Sequence, residues 1–103
     1  MNLEKKFGLD LSCIASLRSV FEQHRKVDEV ILFGSRAKGE FKNNSDIDLA
    51  IVGPKLTTTD LLKIENEIDD LLLPYKVDLV LIHQIENQDL LDHIKRVGQK
   101  FEI

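Results

Sequence analysis

Residues 28–52 read DEVILFGSRAKGEFKNNSDIDLAIV. Two largely apolar runs, Asp28–Phe33 and Asp46–Val52, bracket a polar segment. The first run is stopped by Gly34 and the second by Gly53-Pro54. Short β-branched runs bounded by turn residues predict buried strands. Between them Gly34–Ser45 holds twelve residues rich in Gly, Lys and Asn. That connection is too polar for a core and long for a hairpin turn, so it is expected as a loop or short helix with a functional role.

The flanking sequence completes the pattern. Upstream, Ile14, Leu17, Val20 and Phe21 recur at helical spacing, which predicts a helix over Asp10–His24 with Asp10 or Ser12 as N-cap. Downstream, Leu61, Ile64, Ile68, Leu71 and Leu72 share one face of a predicted amphipathic helix over Thr59–Leu73, ended by Pro74. Val77–Ile82, VDLVLI, predicts a third strand. Glu86–Val97 predicts a last helix stopping at Gly98. The class is α/β, a small mixed sheet flanked by helices. The second and third strands are joined through a helix, so they should be parallel with a right-handed crossover. The first and second should be antiparallel, bringing Gly34-Ser35 at the end of one to Asp46 at the start of the next.

The chain has 103 residues, 43% hydrophobic and 31% charged, as expected of a single folded domain over residues 1–103. A separate substrate-binding domain does not fit. A large ligand must therefore lie on an open face or be shared with a partner. The formal net charge is −4, which argues against general polyanion binding and makes a nucleic-acid partner a poor fit. The single cysteine, Cys13, cannot pair within the chain and suits a reducing compartment. No stretch approaches the roughly 20 apolar residues of a membrane span. Met1–Asp10 lacks the apolar core of a signal peptide. A cytoplasmic location is expected.

Three features should converge at one end of the sheet. Gly34 lets backbone N–H groups approach an anion closely, and Ser35 adds a hydroxyl donor. Asp46 and Asp48, two residues apart on a strand, point to one face with Cα atoms roughly 6–7 Å apart, a spacing at which carboxylates can share metal ions. Asp78, near the start of the neighbouring parallel strand, can stand beside them. Three gathered carboxylates repel one another, and without a cation one would take up a proton. Hard oxygen ligands open to solvent suit Mg²⁺ and a bound phosphate. His24, His83 and His93 lack a metal-ligand pattern and are expected to be structural or on the surface. Arg36, Lys38 and Lys42, with only Glu40 opposing them, form a positive island suited to a nucleotide's phosphate tail.

Gly-Ser, ten residues, then Asp-x-Asp resembles the signature of the DNA polymerase β-like nucleotidyltransferase superfamily. The later acid of that signature matches Asp78 in KVDLVLI. The short length and the wording GSRAKG resemble the minimal nucleotidyltransferases, antitoxin-type partners of helical HEPN proteins. The resemblance covers roughly Val27–Leu81. It implies nucleotidyl transfer with two Mg²⁺ ions. Asp46 and Asp48 would hold both ions, and Asp78 would hold the catalytic one and help activate the attacking hydroxyl. Gly34 and Ser35 would cradle the β- and γ-phosphates, with Arg36 and Lys42 nearby. It further implies transfer of AMP from ATP to a hydroxyl of the HEPN-like partner.

Alternatives remain within this reading. The chain could neutralise its partner by occlusion without chemistry. It could instead modify a small molecule, although relatives of that kind carry a helical acceptor domain for which 103 residues leave no room. Self-association stays open. The partner interface is expected near Arg36–Ser45, with the acidic helix face over Asp60–Asp70 as a second surface.

Overall fold

The computed structural model describes residues 5–101. Residues 1–4, part of the segment expected to lack a signal-peptide core, lie outside the described residues. The element order is β1 (Lys5–Lys6), β2 (Leu9–Asp10), α1 (Leu11–Glu22), β3 (Glu29–Phe33), α2 (Gly34–Lys38), β4 (Ile47–Val52), α3 (Thr58–Asp69), β5 (Val77–Leu81), a 3₁₀ turn (Ile82–Gln84), α4 (Gln88–Val97) and β6 (Gln99–Lys100). A four-stranded mixed sheet runs β5-β4-β3-β6. As the connections imply, β3 and β4 are antiparallel and β4 and β5 are parallel.

Alternation along β4 sorts the side chains onto two faces. Ile47, Leu49 and Ile51 pack with Leu17 and Phe21 of α1 and Ile64 and Ile68 of α3 in the main core. Ala50 faces the other way, into a smaller cluster with Phe33 and with Ile94 of α4. Asp48, two positions from Ala50, shares that second face at the sheet's end. The crossover helix α3 begins with a capping box: the Thr57 hydroxyl accepts from the Asp60 N–H, and the Asp60 carboxylate accepts from the Thr57 N–H. It ends earlier than the apolar pattern suggests. Leu72 adopts φ 55° and is 87% exposed, so it leaves the helical face it was expected to share.

The connection Gly34–Ser45 begins as the short helix α2, closed by Gly39 in the left-handed conformation at φ 78°. Two elements carry no visible signal in the sequence. The β1–β2 hairpin turns through Phe7 and Gly8, both at positive φ as a two-residue turn on twisted strands requires. β6 pairs antiparallel with β3 at the sheet edge.

Arg36 ties these parts together. It is 2% exposed, and its guanidinium donates to the carbonyl oxygens of Phe7, Asn43 and Ser45. The same group lies over the rings of Phe41 and Tyr75, at 5.3 and 4.9 Å from their centroids. Phe7, held by its carbonyl, stacks on Phe101. One buried fork therefore fixes the hairpin, the polar connection and the segment before β5. Replacing it by Ala strands buried carbonyls and empties a large volume. Arg36→Ala should lower unfolding stability by about 3 kcal/mol or more, and Arg36→Lys by less, in urea titration.

Candidate active site

The end of β3 and the starts of β4 and β5 meet at one edge of the sheet. Phe33 lies opposite Asp48 on one side of β4, and Asp78 lies opposite Asp48 on the other. Gly34 follows Phe33 directly with φ 75°. Its missing side chain is required for a second reason: a Cβ there would collide with the Asp48 carboxylate. The Gly-Ser turn thus lies directly against the central acid.

The acids differ in environment. Asp48 is half-buried, whereas Asp46, one residue before β4, is exposed. The Asp78 side chain is 43% exposed and lies 3.7 Å from the Lys76 ammonium. Burial pushes the Asp48 carboxyl above its ordinary range, and the Asp78 and Asp46 carboxylates push it further. A hydrogen bond with Asp78 acts in the same direction. This is the repulsion expected of acids gathered on two adjacent parallel strands. The donor set is hard oxygen, which fits a divalent cation such as Mg²⁺ in charge and chemistry. Among the described residues, no three His, Cys, Asp or Glu side chains are already gathered as a metal cage.

Of the basic residues, Lys42 stays exposed on the connection, where its N–H donates to the Ser45 hydroxyl. Lys38 pairs with Glu40 at 3.3 Å. Arg36 departs from the expectation of a phosphate contact. Its guanidinium is buried beneath the turn and occupied by main-chain carbonyls, so the positive island is smaller than the sequence suggests. Sequence reasoning could not see this, because the acceptors are backbone atoms with no residue signature.

The histidines also divide. His24 contacts the Glu67 carboxylate at 2.9 Å, and His83 contacts the Leu56 carbonyl at 3.0 Å, both away from the acids in structural roles. His93 of α4 stands at the site: its Nε2 accepts the Gly34 N–H at 3.2 Å. It lies 59 residues downstream of the glycine it contacts, and no local pattern links the two.

Residues 15–101 match the family model of the polymerase beta nucleotidyltransferases. The chain belongs to that family. Over 71 residues it is 35% identical to MJ1217 of Methanocaldococcus jannaschii, named as a candidate protein adenylyltransferase, covering 68% of this chain and 71% of that protein. It is 29% identical over 85 residues to MJ0126 of the same organism, which carries the same designation, covering 75% and 86% of the two chains. Among solved structures, a toxin–antitoxin with AMP-PNP shares the fold at TM-score 0.71 and 22% identity, covering 86% of this chain and 72% of that one. The complex of a tri-AMPylated Shewanella oneidensis HEPN toxin with its MNT antitoxin gives 0.66 and 18%, covering 89% and 71%. The fold is thus that of the minimal nucleotidyltransferases.

Asp48 binds its proton more tightly folded than unfolded. Its contribution to stability is therefore present below the unfolded value of 3.8 and is lost as pH rises through the higher folded value. In chelator, Asp48→Asn should melt above the unsubstituted protein near neutral pH. The difference should shrink as pH falls toward about 4, as read by thermal denaturation.

Proposed function

We propose that this protein is a minimal nucleotidyltransferase domain, residues 1–103, that transfers AMP from ATP to a hydroxyl of a helical HEPN-type partner, acting as the antitoxin of such a pair. The carrying observation is the placement of Asp48 beside Asp78 across a parallel strand pair, with the Gly34-Ser35 turn packed directly on Asp48. Relatives designated as candidate protein adenylyltransferases, and a shared fold with an antitoxin bound to an AMPylated toxin, support the acceptor class. A lone buried cysteine suits the reducing cytoplasm.

In this reading Ser35 and the Gly34 turn hold the β- and γ-phosphates, with Lys42 on the exposed side of the connection. The α-phosphate then lies over Asp48. The acceptor oxygen approaches in line from the open edge of β5, where Asp78 is half exposed and helps draw off the hydroxyl proton. A bond forms between that oxygen and the α-phosphorus, the bond to the β-phosphate's bridging oxygen breaks, and pyrophosphate leaves. Mg²⁺ held by Asp46, Asp48 and Asp78 would supply charge neutralisation at the reacting phosphate oxygens. A groove of about 450 Å³, lined in part by Glu65, Asp69, Lys76 and Asp78, runs along β5 and gives the partner an approach to that edge.

The test is incubation of the unmodified partner with this protein, ATP and Mg²⁺, followed by intact-mass measurement. A gain of AMP units on the partner is expected. A tight complex with no mass gain would assign neutralisation to occlusion, and no complex would favour a small-molecule acceptor. Asp46→Asn and Asp48→Asn should each keep the fold and reduce transfer by at least about a hundredfold. Full transfer by either variant would refute the site assignment.

A further inference from the structure

The Gly34 peptide is constrained from three directions. Its backbone occupies the left-handed region at φ 75°. The Asp48 carboxylate fills the space a side chain would take. Its N–H is donated to His93 Nε2 at 3.2 Å. The imidazole is itself oriented, since it meets the Phe33 ring edge to face at 6.1 Å between centroids and 82° between planes. Phe33 and Gly34 are consecutive, so one ring clamps both the last strand residue and the first residue of the turn. Accepting a backbone N–H requires a lone pair on Nε2, which places the proton of the neutral ring on Nδ1.

We infer that His93 is a positioning residue of the nucleotide site: it takes the Gly34 N–H out of play and fixes the turn, so that Ser35, not Gly34, presents the donors to the phosphate tail. The inference rests on the nucleotidyl-transfer reading above. A Gly-Ser turn with two unengaged amides would be free to rotate its peptide planes, and the left-handed glycine offers little resistance of its own. With Gly34 committed to α4, the first peptide is fixed before any ligand arrives. The rotational cost of ordering the cradle then falls on folding and not on binding. The same bond ties α4 to the active-site edge.

The test compares two substitutions. His93→Phe keeps an aromatic ring against Phe33 but has no acceptor. His93→Gln can place an amide oxygen near the position of Nε2. Affinity for AMP-PNP with Mg²⁺ is measured by calorimetric titration, alongside melting temperature. His93→Phe should weaken binding about tenfold, and His93→Gln should remain within about threefold of the unsubstituted protein. In the unsubstituted protein, ¹⁵N spectra of the imidazole should show Nε2 unprotonated and coupled to the Gly34 amide, a readout that needs neither variant to fold. Equal or tighter binding by His93→Phe would overturn the inference, because His93 would then be neutral or a competitor for the same N–H. Equal weakening by both variants would overturn it too, leaving ring packing as the only role, as would a proton found on Nε2. If the unsubstituted protein binds no AMP-PNP, the nucleotidyl-transfer reading falls and this inference falls with it. If it binds and the variants do not separate, only the role of His93 falls.

Discussion

Asp48 is where fold and chemistry constrain each other most tightly. It lies on the central strand, opposite Phe33 on one side and Asp78 on the other. A shift of one residue in either register would turn Asp48 to the main core and bring Ile47 or Leu49 to the site face. The apolar alternation of β4 prevents that slip, because Ile47, Leu49 and Ile51 are fully buried in the main core. Hydrophobic burial on one face thus enforces an electrostatically unfavourable arrangement on the other. Burial, and after it repulsion from Asp78 and Asp46, raises the Asp48 carboxyl, and the strand has enough buried apolar surface to sustain it.

Gly34 completes the same constraint from the β3 side. Any side chain there would meet the Asp48 carboxylate, so turn and acid are specified as a pair. The rest of the connection is secured by different means. Arg36 is a charged residue in a polar segment, yet it is among the most buried side chains of the protein. Its donors serve carbonyls on both sides of the sequence, and its plane lies over two aromatic rings. Burying a guanidinium is tolerable only when its donors are satisfied in this way. The connection is therefore ordered, held from within by the Arg36 bonds to Asn43 and Ser45.

The sheet order of β3, β4 and β5, their relative directions and the gathering of Asp46, Asp48 and Asp78 at one end were legible because each rests on local periodicity or on a connection rule. Val77–Ile82 and Asp46–Val52 alternate or run apolar, and a helix between them leaves little choice of direction. What was not legible depends on contacts distant in sequence. β6 is a two-residue pairing with β3, too short to show a period. The β1–β2 turn places Phe7, not only Gly8, at positive φ, a conformation sustained by Arg36 and Phe101 and not by local preference. Arg36 looked like a phosphate ligand because composition cannot distinguish a solvated cation from one pointed inward. The place of His93 beside Gly34 was not legible because its partner is a backbone N–H.

These distant contacts share a direction that bears on how the site is assembled. Arg36 binds the connection to the hairpin near the N-terminus, and Gln99, just after α4, donates its side-chain amide to the Ala37 carbonyl of α2. His93 adds a third tie between α4 and the turn. The segment from Gly34 to Ala37 is thus anchored from both ends of the chain, while its own sequence contributes little that would hold one conformation. A five-residue helix is far below the length at which helices persist alone in water. Its geometry must come from outside. The Gly34–Ala37 segment therefore takes its geometry from the terminal elements docked on the sheet, and its local stability depends on theirs.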